Sequence, residues 1–330
     1  MEGMAMDGMG GELPAGPPHH GFPTKIYNGV MLQYWQEGGI GHPIHGARLG
    51  HYLPGWFFVF WGSWWILSVF RLHFKSSAKT PFASRGWFEW PTWVPGNLPL
   101  EPIAKVVMPF IGILGELWLG HDAYQPLYLD GKFNEHQLQD WQHSAMYLAY
   151  LISGLVDLVG YYTPYLPSGT EQAYLGMAFV VEGTLLAFHL KGTMLDFALH
   201  LLLVLTIFTT AIVIFAEMSH PHNMLLAALR GSLVFLQGVW FIQIGNILYN
   251  EHPEWDPTYM GSSMIVPVFF CFCALMVTFG VLTAFVLAKA YQQWSLKTYR
   301  PVKLEEPSWQ QPPGKTLARR ADAEITDLDP

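Results

Sequence analysis

Apolar positions in this chain come in long unbroken runs, not in alternating or helical stripes. Residues 201–216 read "LLLVLTIFTTAIVIFA" and residues 262–288 read "SSMIVPVFFCFCALMVTFGVLTAFVLA". Runs of roughly 18 or more apolar residues are long enough to cross a bilayer. Seven apolar segments can be drawn, over 52–74, 103–119, 142–163, 172–190, 194–217, 224–249 and 262–293. Each must be helical, because no water inside a membrane satisfies the backbone. The second is the most interrupted, by Lys105, Pro109 and Glu116. Before the first lies a stretch rich in Gly, Pro, Met and His, and after the last a polar, Pro-containing one. The expectation is an all-α, polytopic membrane protein with a seven-transmembrane-helix bundle over 51–296. An irregular tail is expected over 1–50 and a disordered one over 297–330.

Composition agrees. The 330 residues are 51% hydrophobic, 15% aromatic and only 13% charged, where soluble domains carry about 25% charged. A formal charge of −8 offers no basic footprint, so nucleic acid is not an expected partner and membrane lipid is. Cys271 and Cys273 both lie in an apolar run and do not make a disulfide framework. The first 24 residues lack a basic region followed by an apolar one, so no cleaved leader is expected. Trp56, Trp61, Trp64, Trp65, Trp87, Trp90 and Trp93 fit an interfacial belt and a lipid-facing surface.

Cationic residues set the expected orientation. Arg71, Lys75, Lys79 and Arg85 lie between the first two segments, and Lys297, Arg300, Lys303, Lys315, Arg319 and Arg320 lie after the last. With seven spans these two groups share a side. The other side holds Lys25, Arg48, Lys132 and Lys191. The C-terminus is thus expected in the cytosol, with the N-terminus luminal or extracellular, in the endomembrane system or plasma membrane.

On that topology several ionisable residues fall near the outer face. His51 precedes the first span, Glu116 and His121 end the second, and His143 begins the third. Glu182 and His189 lie on the fourth, and Asp196 and His200 on the fifth. Gln237 and Gln243 lie on the sixth, and Asp157 deep in the third. Asp196 and His200 are four apart, hence on one helix face. That offset lets two helical side chains share a metal. Chargeable groups in a bilayer cost a few kcal/mol or more and normally face a partner or a cavity. His143, His189, Asp196 and His200 are therefore candidate ligands of a zinc-like divalent metal, with Glu182 as candidate general acid/base. His51, Glu116, His121, Asp157, Gln237 and Gln243 are expected to line the same pocket. The plainer alternatives stay open. Histidines at helix ends are often merely interfacial, Asp196 suits a helix N-terminus, and Glu182 suits an interhelical hydrogen bond. The Met-rich start could gather Cu(I) through soft sulfur ligands, or be low-complexity sequence only.

The segments "GHYLPG", "WQHSAMYLAYLISGLVD", "VEGTLLAFH", "LDFALH", "LQGVWFIQIG", "PEWD" and "FCFC" occur in that order over 45–296. Together they resemble the transmembrane protein 45 family. The resemblance implies a seven-span membrane protein and supplies no chemistry. It places His51, Glu116, His143, Asp157, Glu182, His189, Asp196, His200, Gln237 and Gln243 on family positions. The chain departs at the short "LKGTM" turn, and at Ala198 and Leu275, where the family carries His. Three functions follow as expectations. The favoured one is a non-catalytic trafficking or scaffold protein with a polar core. The others are a metal-dependent intramembrane hydrolase acting on a lipid-like substrate, and an ion- or proton-coupled transporter.

Overall fold

The computed structural model describes residues 44–89, 98–119, 124, 126–129, 131–134, 137–188, 192–249 and 255–298. Seven α-helices are present among them: α1 (Ile44–Lys75), α2 (Leu100–Leu114), α3 (Leu138–Tyr162), α4 (Thr170–Ala187), α5 (Met194–Ser219), α6 (Met224–Leu248) and α7 (Met260–Thr298). A π-helical turn, Gly115–Leu119, extends α2. A two-stranded antiparallel hairpin links it to α3, with β1 (Tyr128–Leu129) pairing β2 (Lys132–Phe133) around Gly131 at φ 78°. Each helix coincides with one of the seven apolar segments. Helix α1 starts earlier than expected, at Ile44, inside the segment read as irregular.

Among the described residues five helices are long and apolar enough to cross a membrane, over Arg48–Lys75, Leu138–Tyr162, Met194–Ser219, Met224–Leu248 and Met260–Ser295. Helix α2 has 15 residues, and α4 carries Glu171, Gln172 and Glu182 among its 18. Both fall short of that standard. Large apolar side chains stand on outward faces, including Leu205 and Ile212 on α5 and Phe272 and Phe279 on α7. A helix that shows such residues outward suits lipid, where exposing them costs nothing.

The chain divides into two compact units after Val281, within α7. The described part of the second is the final stretch of that helix, 282–298. In the first unit neighbouring helices follow the order α1, α6, α5, α4, α3, α2. Side chains then join α2 back to α1, since Trp64 and Trp65 both donate to Glu101. Phe58 of α1 lies against Tyr150 of α3, Phe179 of α4 and Phe241 of α6. From α7, Phe269 and Phe270 meet Trp240.

Helix starts are marked by local chemistry. Thr193 accepts from Asp196 N–H at 3.3 Å at the start of α5, and Asn223 accepts from Leu225 N–H at 3.0 Å before α6. Gly169 and Gly192 take φ of 88° and 87° in the turns that open α4 and α5, a region that glycine enters freely. Ahead of α7, Asp256 accepts from the Thr258 hydroxyl at 2.6 Å and its N–H at 2.8 Å. These bonds, the hydroxyl's first, hold its carboxyl below the usual range.

The α1–α6 contact is backbone on backbone. A Cβ on Gly238 would collide with Val59 N and stand 2.6 Å from Gly55 O, and one on Gly62 would stand 2.5 Å from Phe235 N. Gly55 and Gly62 are seven apart on α1, and Gly231, Gly238 and Gly245 are seven apart on α6. Spacing by seven keeps each set on one helix face, and small residues let membrane helices approach closely. Gly238→Ala should therefore lower stability by about 1–3 kcal/mol, the usual cost of overpacking. Gly280→Ala, with nothing within 4 Å of the new Cβ, should be neutral. Reversible denaturation in mixed micelles checks both.

Candidate functional site

The polar residues of the first unit fall into three groups along the helices. The first lies at the end where α1 and α5 begin. His51 Nε2 and His200 Nε2 stand 3.3 Å apart. His200 Nδ1 lies 3.0 Å from the Asp196 carbonyl oxygen, in line for a hydrogen bond, and 2.6 Å from Asp196 Oδ1, off that line. The predicted i, i+4 pairing of Asp196 and His200 is thus present. Arg48 donates to Tyr52 Oη at 2.9 Å, and that hydroxyl donates to Asn246 Oδ1. Across the same end His143 Nδ1 meets Glu116 Oε2 at 3.2 Å, both partly exposed.

Deeper in, Glu182 is buried at the centre. Its Oε2 accepts from the Tyr150 hydroxyl at 2.6 Å, and its Oε1 accepts from Gln237 Nε2 at 2.8 Å. One carboxylate thereby joins α3, α4 and α6. Gln237 Oε1 is buried without a hydrogen-bond partner among protein atoms.

The third group, at the opposite end, is the most buried. Lys105 Nζ meets Asp157 Oδ2 at 2.5 Å, with side chains 6% and 0% exposed. Arg230 Nε stands 3.2 Å from Glu217 Oε2, and neither side chain is exposed. The Arg230 guanidinium also donates to Arg85 O at 3.0 Å and lies 4.7 Å from the Trp65 ring and 5.5 Å from that of Phe88. Glu101 accepts three bonds, from Trp65 Nε1 and Trp64 Nε1 at 2.8 Å and from Phe88 N–H at 2.9 Å. The segment between α1 and α2 folds into this end. Phe82, Ser84, Trp87 and Phe88 are buried there. Ser84 N–H donates to Pro221 O at 2.7 Å, His222 Nδ1 donates to Phe82 O at 2.7 Å, and Trp87 Nε1 donates to Glu171 Oε1 at 3.3 Å. A cavity of about 280 Å³ opens beside it, lined by Ser84, Arg85, Thr170 and Glu171 among others.

The expected single pocket is therefore distributed. His51, Asp196 and His200 come together, and Glu182 and Gln237 come together. Asp157 belongs to the opposite end, 14 residues and about 21 Å of helix rise from His143. Gln243 is half-buried on α6. His121 and His189 lie outside the described residues, as do Trp90 and Trp93. Among the described residues no three or more His, Cys, Asp or Glu side chains converge in a way that could hold one ion. Trp65 and Trp87, read as lipid-facing, are buried, because their indole N–H groups serve carboxylates. Sequence reasoning missed the ion-paired end. Lys105 was read as an interruption, and Glu101 and Arg230 were not singled out. The signal was available: Asp157 is an acid deep in one apolar segment and Glu217 closes another, and Lys105 and Arg230 are the cations at matching depth.

A model for a family of unknown function (DUF716) matches residues 168–286, from just before α4 into α7. Transmembrane epididymal protein 1A of Mus musculus is 24% identical over 299 residues, covering 86% of this chain and 95% of that protein. Transmembrane epididymal protein 1 of Rattus norvegicus is 25% identical over 237 residues, covering 68% and 75%. The Homo sapiens protein of that name is 28% identical over 138 residues, covering 40% of this chain and 50% of its own. The chain is a multi-pass integral membrane protein. Its long apolar helices and its similarity to transmembrane proteins along most of its length agree on this.

Removing one partner of a buried ion pair strands the other charge at about 3–5 kcal/mol, whereas replacing both by apolar groups is often neutral or stabilising. Lys105→Met and Asp157→Leu should each destabilise by that amount. The double variant should match the wild type or exceed it, as read by a double-mutant denaturation cycle.

Proposed function

We propose that this protein is a non-catalytic membrane scaffold or trafficking component whose buried polar residues serve the helix bundle. The observation that carries the reading is the state of Glu182. It is the acid best placed for general acid/base work, and both of its oxygens are engaged, by Tyr150 and by Gln237. At Glu101 both oxygens are likewise taken, by Trp64, Trp65 and Phe88, and Asp157 and Glu217 each stand beside one cation, Lys105 and Arg230. A working acid needs an oxygen within reach of a reacting proton, and these carboxylates face groups on neighbouring helices and the 76–89 loop instead.

The reading takes all seven helices as spans, with the C-terminus cytosolic by the bias of Lys and Arg, in the endomembrane system or plasma membrane. It also takes the chain as a member of the transmembrane protein 45 family. "VEGTLLAFH", "LDFALH", "LQGVWFIQIG" and "FCFC", part of that resemblance, fall inside the matched 168–286 segment. One observation favours a second reading, a proton-coupled carrier: the three polar groups together reach from one end of the helices to the other. Along α5 alone, His200 and Glu217 are about 25 Å apart by helix rise.

The test compares the wild type with Glu182→Gln, both in cells and reconstituted in liposomes. The scaffold reading expects the variant to reach the same membrane and to crosslink to the same membrane-protein neighbours. It also expects neither protein to dissipate a pH gradient or hydrolyse phospholipid. Proton flux present in the wild type and lost in Glu182→Gln would establish the carrier. Metal-dependent lipid hydrolysis lost in the variant would establish the hydrolase. Either result overturns the scaffold.

A further inference from the structure

Where α1 and α5 begin, two imidazoles meet at a distance that a hydrogen bond or a shared ion would both satisfy. His51 and His200 face each other through Nε2 at 3.3 Å, with ring planes at 72°. N–H···O bonds usually span about 2.7–3.2 Å, so 3.3 Å lies at the long edge of that range. The protonation of His200 follows from its other nitrogen. Nδ1 is flanked by two acceptors, the Asp196 carbonyl at 3.0 Å and Oδ1 at 2.6 Å. Nδ1 must therefore carry the proton in the neutral ring, and the lone pair sits on Nε2, toward His51. Held at one nitrogen by the Asp196 backbone carbonyl, with the carboxylate close beside it, the imidazole presents its other nitrogen, an arrangement that metal-binding histidines adopt.

The distance fits an ion between them. Two nitrogens bound to zinc at about 2.0–2.1 Å with a tetrahedral angle stand about 3.3–3.4 Å apart. We propose that His51 and His200 are the protein ligands of one divalent transition-metal ion, zinc by ligand preference, with Asp196 as a positioning residue. Water takes the remaining positions, in keeping with the lack of a third His, Cys, Asp or Glu in reach among the described residues. The assignment reorders the set expected from sequence. His51 becomes a ligand, Asp196 orients an imidazole, and His143 stays with Glu116.

The backbone of Asp196 is held at the start of α5. Its N–H is capped by Thr193, and its Oδ2 lies so close to Gly192 that a Cβ there would collide with it. His51 in turn rests against the Tyr249 ring, centroids 5.0 Å apart. Helices α1 and α5 both pack on α6, and an ion shared by His51 and His200 would tie them directly. The proposal does not rest on the scaffold reading; a structural or a catalytic protein could carry such a site.

The test uses the full-length protein in detergent micelles, stripped with a chelator and checked for monodisperse elution. Zinc is titrated against a chromophoric chelator, and cobalt(II) is added separately as a visible-absorption probe of nitrogen ligation. The expected result is one zinc per chain that is lost in His51→Ala and in His200→Ala and retained in His143→Ala. Asp196→Asn should weaken it about 10–100-fold, the usual effect of losing such a partner. His51→Gln and His200→Gln carry the same expectation where an alanine variant elutes as aggregate. No zinc bound by the wild type overturns the proposal. So does zinc bound with unchanged affinity in the folded His51 and His200 variants, since the ion would then sit elsewhere.

Discussion

A charge placed among apolar side chains must find an opposite charge or enough hydrogen-bond donors, because no solvent will stabilise it there. The arrangement of this bundle depends on that constraint. Lys105 and Asp157 join α2 to α3, Arg230 and Glu217 join α6 to α5, and Glu182 joins α4 to α3 and α6. Glu101 closes the circuit by accepting from the indole N–H groups of Trp64 and Trp65 on α1. Leu against Leu is nearly indifferent to which helix supplies it, and lipid tails compete equally well. The paired groups are not indifferent. Each has few acceptable partners, so together they select which helices become neighbours and at what depth. Their net stabilisation can be small while their effect on specificity is large.

Close approach supplies the second ingredient. The glycines of α1 and α6 let those two backbones touch, and Gly154 does the same where α3 meets α2 at Lys105. In each case a polar tie lies within a turn or two of the small residue. Dispersion acts over short distances, so the glycine contact and the polar tie reinforce each other. The loop of residues 76–89 finishes the end that holds the ion pairs. It brings backbone donors and acceptors to Glu101, Arg230 and His222, and its Phe88 covers the first two.

The helices themselves were legible, because a bilayer-length apolar run allows only one backbone solution. So was the Asp196–His200 pairing, which is set by the local i, i+4 geometry. The meeting of His51 with His200 was visible only as agreement in depth, since 149 residues separate them. What hid the opposite end was a habit of sign. Lys105 counted against its segment as a defect, when its ammonium is what Asp157 requires. The tryptophans misled for a related reason. Composition places indoles at interfaces on average, and it does not reveal that Trp64 and Trp65 face an acid on another helix. The glycine spacing of seven on α1 and α6 was also present in the sequence, and only its partner was missing.

The neighbour order carries a consequence for how the chain is made. Helix α1 packs along α6, whose first residue, Met224, is synthesised about 150 residues after α1 ends at Lys75. Four helices are made in between, and until α6 follows them the glycine face of α1 lacks the partner it packs against. Arg230 likewise arrives after Trp65, Arg85, Phe88 and Glu217 are already in place, and it is the piece that lets loop 76–89 settle. Until then Glu217 lacks its cation and Glu182 lacks one of its two donors. For this protein, the arrival of α6 is the step that gives α1 its principal neighbour and Glu217 its cation.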